Sequence, residues 1–205
     1  MKAEGSVKTE HILDAAIKRF SYFGINKTTL TEIAEDLSIS KPLLFYYFHD
    51  KNSLIAAVAG KIINEFLEAL ETAFAAAGSV EEGLQSLVEI KREHFKKFFL
   101  LAIQGDSADF HKDSSAIHEL YQQARKRTTA IISTLLQKGI QERVLKPTDT
   151  EKTSQLLLET LAAFEYCMKG RTAVPEMIDI DEMFNKQQAV VNIFLNGLKS
   201  SEWKN

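Results

Sequence analysis

The sequence predicts an all-α fold of about nine helices, and three observations carry that expectation. Apolar residues recur at three- and four-residue intervals almost from end to end. No segment shows the two-residue alternation of a half-buried strand. Only three prolines interrupt the 205 residues, and each stands at or beside an expected boundary. Breaks fall at Gly24, Ser40 to Pro42, His49 and Asp50, Gly78 and Ser79, Gly105 to Ser107, Lys146 and Pro147, and Gly170 to Pro175. They mark out helices near 8–23, 30–37, 41–48, 51–77, 80–103, 104–110, 114–143, 149–169 and 181–200. The first three are short and closely linked, whereas several of the others are long. A functional boundary is therefore expected near residue 50, with domains at 1–50 and 51–205.

The first helix carries Ile12, Leu13, Ala16, Ile17, Phe20 and Phe23 as an apolar stripe. Gly24 follows where a left-handed C-terminal cap is wanted. In TTLTEIAEDLSIS, Thr29 and Glu32 have the spacing of a capping box, and Ile33, Ala34 and Leu37 give the second helix one apolar face. Ser38 and Ile39 form a tight turn. Ser40 then serves as N-cap for a third helix, with Lys41 and Pro42 in its first turn, where proline is tolerated.

That third helix contains PLLFYYF, residues 42–48, with no charge and no side-chain amide. Steps of 100° put Leu44 and Phe48 on one face and Pro42, Leu43, Phe45 and Tyr46 on another. A helix apolar all round is normally buried in a large core or a membrane. Seven residues cannot span a bilayer, which takes about 20. Two short helices joined by a tight turn and propped on a longer one make a helix-turn-helix unit, whose second helix is covered by the DNA major groove. Apolar and aromatic side chains pack on thymine methyls there, and tyrosine hydroxyls reach phosphates or base edges. Lys41 and Lys51 bracket the helix with phosphate contacts, and the amides opening the fourth helix favour an anion. The competing reading is a helical protein-interaction module that uses the same apolar face.

Composition bounds the rest. With 45% hydrophobic and 26% charged residues, this is a globular chain. It shows neither a signal-peptide segment nor a membrane span, so a cytoplasmic protein is expected. A single cysteine, Cys167, excludes an internal disulfide and a multi-cysteine metal site. The net charge of -3 argues against a general nucleic-acid coat. Residues 1–53 hold seven Lys/Arg and seven Asp/Glu, so binding would rest on a few placed cations, doubled in a dimer.

Residues 9–54 resemble the N-terminal domain of the tetracycline-repressor (TetR) family of bacterial transcription regulators. The match is carried by ILDAAIKRFSYFG, TTLTEIAEDLSIS and SKPLLFYYFHDKNSL. The resemblance implies that Thr28 and Thr29 approach the DNA backbone, that Lys41, Pro42, Leu43, Phe45, Tyr46 and Tyr47 lie at or near the groove, and that Lys51 holds a phosphate. Leu44 and Phe48 would be core. The chain departs from the family pattern at Pro42 and Leu43, where a small residue and threonine are common, and at Phe45, where tyrosine is common. Fewer polar contacts remain to fix the register.

The second domain carries many phenylalanines, which allow an apolar cavity; in the family such a cavity holds an inducer. Candidates to line it are Phe66, Phe95, Phe99, Tyr121, Phe164 and Met168, on the faces that such bundles direct inward. LLLETLAAFEYCM (156–168) and MFNKQQAVVNIFLNGL (183–198) have apolar stripes with small residues and would pair as a four-helix bundle about a two-fold axis. Leu157, Leu161, Phe164, Val190 and Phe194 are the expected interface. His94, His111 and His118 lack paired spacing, so neither a metal nor a cofactor is expected. QGDSADFH (104–111) gathers acids with a histidine, but nothing pairs a nucleophile with a base, and a helix-end turn accounts for it. Cys167 is open to a redox-sensor reading, but a lone cysteine on an apolar stripe is expected as a small buried hydrophobe. The expectation is a ligand-responsive homodimer, most simply a repressor, that binds a palindromic operator and is released by a small apolar effector. It is not expected to be an enzyme or a membrane protein.

Overall fold

The computed structural model describes residues 2–104, 115–171 and 177–200. Among them are nine helices: α1 Lys2–Phe23, α2 Leu30–Asp36, α3 Lys41–Tyr47, α4 Lys51–Ala76, α5 Val80–Lys97, α6 Phe99–Gln104, α7 Ser115–Gln141, α8 Thr150–Arg171 and α9 Met177–Leu198. The one β feature among these residues is an isolated bridge between Leu145 and Lys199. No helix among them is long and apolar enough to cross a membrane. Most of the expected helix at 104–110, with Phe110 and His111, lies outside the described residues, as does nearly all of QGDSADFH.

One expected helix is divided. The periodicity of 80–103 continues through Phe98, yet α5 stops at Lys97 and α6 starts at Phe99. No glycine or proline marks the spot. Phe98 and Leu101 are buried at the break, and α6 lies against α1.

The chain forms two compact units that do not follow the linear boundary near residue 50. The first comprises residues 1–65 and 95–123, and the second 66–94 and 124–205. Helices α4, α5 and α7 each contribute residues to both.

In the first unit one core gathers Ile12, Leu13, Ala16 and Phe20 of α1, Leu30, Ile33 and Ala34 of α2, Leu44 of α3, Phe48, and Leu54, Ile55 and Val58 of α4. Leu101 of α6 and Ile117 of α7 complete it. The non-directional attraction between these apolar surfaces holds the short helices, which are too short to persist alone in water. In the second unit the buried side chains include Leu84, Leu87 and Val88 of α5, Ile132 and Leu136 of α7, Leu157 and Leu161 of α8, and Phe184 and Val191 of α9. Here α5 and α7 approach closely at two glycines. A Cβ on Gly83 would lie 2.6 Å from Leu135, and one on Gly139 would lie 2.6 Å from Val80.

Candidate nucleic-acid interface

Each joint between the first three helices is closed by a local polar device. Gly24 ends α1 at φ 83°, the left-handed region that favours glycine. The Thr28 hydroxyl donates to the Gly24 carbonyl at 2.9 Å. Thr29 caps α2 as expected. Its hydroxyl accepts from the Glu32 amide, and the Glu32 carboxylate accepts from the Thr29 amide at 2.7 Å. The Thr29 amide foremost, and the Thr29 hydroxyl donating to the same carboxylate at 2.9 Å, hold the Glu32 carboxyl below the ordinary carboxylate range.

The turn into α3 places Ser38 at φ 53° and closes with the Ile39 amide donating to the Ala34 carbonyl at 3.0 Å. A left-handed non-glycine residue costs about 1–2 kcal/mol. Half-buried Ile39, packed on the core, offsets that cost. Ser40 then caps α3 by accepting from the Leu43 amide, with Pro42 in the first turn.

Arg19 of α1 binds α2 from the side. It donates to both Asp36 oxygens at 2.8 and 2.7 Å and lies 3.0 Å from Glu32. Its pKa is raised, chiefly by the hydrogen bond to Asp36. Two of the three α2 acids are thereby paired with a cation. Asp50 is also committed: its carboxylate accepts from the Ser53 amide at 2.7 Å, which lowers its pKa and caps α4. This corrects the view of the α4 terminus as open to an outside anion, since the protein's own carboxylate already binds there. The Asp50 to Ser53 spacing is the signal that identifies the cap. His49 also sits 2.9 Å from Asp50.

What α3 leaves outward is Lys41, Pro42, Phe45 and Tyr46, all exposed, with Tyr46 at 82%. The Lys41 ammonium lies 5.7 Å from the Phe45 ring centre, within cation–π range. Leu44 and Phe48 are buried, answering which face is core. Leu43 and Tyr47 are half-buried flanks, and Tyr47 presents its ring edge-on to Tyr46 at 5.4 Å. Thr29 is exposed. Thr28, only 1% exposed with its hydroxyl spent on Gly24, builds the turn rather than reaching outward. Half-buried Lys51 donates to the Asn26 carbonyl at 3.4 Å, across the loop that follows α1. The outward face of α3 is thus a patch of about one helical turn, aromatic and cationic, on a rigid base.

The residues expected to line an effector cavity divide between the units. Phe95 and Phe99 meet in the first unit with ring centres 6.1 Å apart. Tyr121 belongs to that unit too but is 45% exposed, although neighbouring groups desolvate its hydroxyl enough to raise its pKa. In the second unit Phe66 packs edge-on against His94 at 5.5 Å, and Phe164 is half-buried. The side chain of Met168 lies outside the described residues. The expected interface residues Leu157 and Leu161 are buried in their own unit and are corrected to core. Phe164, Val190 and Phe194 are half-buried. Exposed apolar side chains occur one step round the helices: Leu156 at 56%, Tyr166 at 81% and Ile193 at 70%, with Ala163 and Ala189 also exposed. Sequence periodicity finds both faces of an apolar helix but does not say which is turned inward. Among the described residues no group of three His, Cys, Asp or Glu side chains is placed to hold a metal.

Residues 12–58 match the family model for bacterial regulatory proteins of the tetR family. The uncharacterized HTH-type transcriptional regulator YhgD of Bacillus subtilis is 24% identical over 156 residues, spanning 74% of this chain and 79% of that protein. The HTH-type transcriptional regulator RutR of Escherichia coli is 36% identical over 92 residues, and that match spans 43% of each chain. Among solved structures, a transcriptional regulator from Cytophaga hutchinsonii superposes with a TM-score of 0.83 at 24% identity, over 94% of this chain and 99% of that one. A TetR-family regulator from Pectobacterium atrosepticum gives 0.75 at 21% identity over 98% of both. At these identities the structural likeness establishes the fold.

Proposed function

As a chain that belongs to the tetR family of bacterial regulatory proteins, this is a DNA-binding transcriptional regulator, and we propose that it works as a cytoplasmic homodimeric repressor released by a small effector. The carrying observation is the outward face of α3: Lys41, Pro42, Phe45 and Tyr46 stand exposed on a helix whose opposite side is locked into the core by Leu44. In this reading the domain comprising residues 1–50 enters the major groove with that face, while Lys51 and the amide end of α2 near Thr29 meet the phosphate backbone. The alternative, a protein-binding face, is disfavoured by the neutralising of α2's acids beside it, a feature a phosphate surface requires.

Two exposed stripes support dimerisation. Leu156, Ala163 and Tyr166 of α8 and Ala189 and Ile193 of α9 leave apolar surface on neighbouring helices. Paired about a two-fold axis they form a four-helix bundle and present two α3 helices to half-sites spaced by one turn of DNA, about 34–36 Å, or a multiple. Residues 51–205 then form the effector and dimerisation domain. Within the second unit the aromatic side chains Phe66 and Phe164 favour an apolar ligand. Such a ligand lowers DNA affinity by the ratio of its affinities for the two states of the dimer.

The test is selection of purified protein against a randomised duplex pool at two salt concentrations, followed by sequencing. A palindrome whose affinity falls steeply with salt is expected. Salt-insensitive binding to a protein partner with no enriched DNA would replace the proposal with the interaction-module reading.

A further inference from the structure

A charge cluster that the DNA-facing surface does not use joins α1 to α4 within the first unit. The Lys61 side chain of α4 is only 18% exposed, and its ammonium contacts Glu10 of α1, with Glu65 at 3.4 Å and Asp14 at 3.6 Å. Glu65 also binds Lys97, at the end of α5, at 2.5 Å. The hydrogen bond to Glu10 foremost pushes the Lys61 pKa up to about 12. Burial works to raise the Glu65 pKa, but Lys97 and Lys61 together bring it below its ordinary value.

The rest of this joint is apolar: Ile12, Leu13 and Ala16 of α1 share a core with Leu54, Ile55 and Val58 of α4. Apolar burial resists separation but is non-directional, so it tolerates sliding and rocking. The Lys61 contacts are directional. Glu10 and Asp14 stand one turn apart on α1, and one lysine reaching both fixes the tilt and the register of α1 on α4. Helix α1 in turn carries α2 through Arg19, and α2 carries α3 through their shared core.

We propose that Lys61 is a specificity-determining residue that never touches DNA: by pinning α1, and with it α3, at one angle on α4, it sets the half-site spacing that the dimer accepts. The inference rests on the dimeric DNA-binding reading above. Lys61 lies ten residues beyond the start of α4, about 15 Å along the helix. Rocking of α1–α3 by about 10° around that point moves the recognition helix by roughly 2.6 Å, close to the rise of about 3.4 Å per base pair. A loosened joint therefore reaches the neighbouring spacing.

The experiment uses the selected palindrome with its centre unchanged, lengthened by one base pair or shortened by one. Each duplex is titrated with the wild-type protein, Lys61→Met, Lys61→Arg and Glu10→Gln. The wild type is expected to prefer its own spacing by about tenfold or more. Lys61→Met flattens that preference to about threefold or less, Glu10→Gln flattens it partly, and Lys61→Arg preserves it. Glu10 and Asp14 are themselves exposed and Glu65 keeps Lys97, so Lys61→Met strands no carboxylate in the core; the melting temperature changes little, and the salt slope stays at the wild-type value.

Undiminished spacing preference in Lys61→Met overturns the inference, and if that variant does not fold, undiminished preference in Glu10→Gln does so. A salt slope lowered by about one in Lys61→Met also overturns it, by making Lys61 a phosphate contact. A wild-type protein indifferent to spacing removes the dimeric reading itself, and the inference with it.

Discussion

Leu44 and Tyr46 stand two residues apart on α3, and replacing each with alanine separates folding from binding. Leu44 is fully buried in the core to which α1, α2 and α4 also contribute. Deleting a side chain so placed removes its transfer free energy and leaves a cavity, costing about 3–5 kcal/mol. For a chain of this length each kcal/mol shifts the melting temperature by about 2–4 °C, so Leu44→Ala should lower it by roughly 6–20 °C. Tyr46, at 82% exposure, loses little on truncation beyond an edge contact with Tyr47. Tyr46→Ala should keep stability within about 0.5 kcal/mol. If its ring reads base edges, each protomer forfeits about 1–3 kcal/mol, and a dimer loses at least tenfold in affinity, unevenly across operator sequences. Urea unfolding followed by circular dichroism and anisotropy titration on the selected duplexes measure both quantities. Destabilisation by Tyr46→Ala of more than about 2 kcal/mol would refute the outward placement of that face. A loss of affinity equal for all sequences would refute base readout.

Three further predictions concern other parts of the molecule. Lys51→Ala should weaken binding to all sequences alike and lower the salt slope by about one; an unchanged slope would make Lys51 a structural residue that ties the start of α4 to the Asn26 carbonyl. Ile193→Asp, at an exposed position on α9, should convert the dimer to monomer in sedimentation at micromolar concentration without unfolding it, and an unaltered dimer would move the interface off that stripe. The Glu32 and Asp50 carboxyls have folded pKa values below their ordinary 4.5 and 3.8. They stabilise the fold above those ordinary values, and the contribution is lost as pH falls through the folded ones. Stability should therefore decline on acidification from about pH 4.5 downward, and Glu32→Gln with Asp50→Asn should flatten that decline in urea midpoints taken from about pH 6 to 3.

The short helices were legible because their signals are local. Thr29 with Glu32, and Ser40 before Pro42, announce caps within four residues, and the structure ends and begins helices there. The split at Phe98 was not legible, because no breaking residue marks it; Leu101 just beyond it joins the core of the first unit, a contact that local sequence does not announce. The α8 stripe was legible as apolar but ambiguous in orientation. Leu156 and Leu157 are adjacent leucines, and only packing in three dimensions buries one and exposes the other. Likewise Arg19 reaches acids 13 and 17 positions away, and Lys61 reaches acids 47 and 51 positions away, and no local spacing announces either.

The balance of seven basic and seven acidic residues in that segment counted against DNA binding in the sequence alone. Pairing in the structure changes its weight. Glu32 and Asp36 are held by Arg19, Glu10 and Asp14 by Lys61, and Asp50 by the start of α4. The outward face of α3 carries Lys41 and no acid.

The claim that this face is covered by the major groove is tested most directly by photocrosslinking. The selected duplex is prepared with 5-bromodeoxyuridine in place of each thymidine in turn, so that the reactive group lies in the major groove, and crosslinked peptides are mapped. Crosslinks within residues 41–47, lost in Tyr46→Ala at the thymidine that Tyr46 contacts, are the expected result. Crosslinks confined to other helices, with α3 still reactive to solvent probes in the complex, would contradict it.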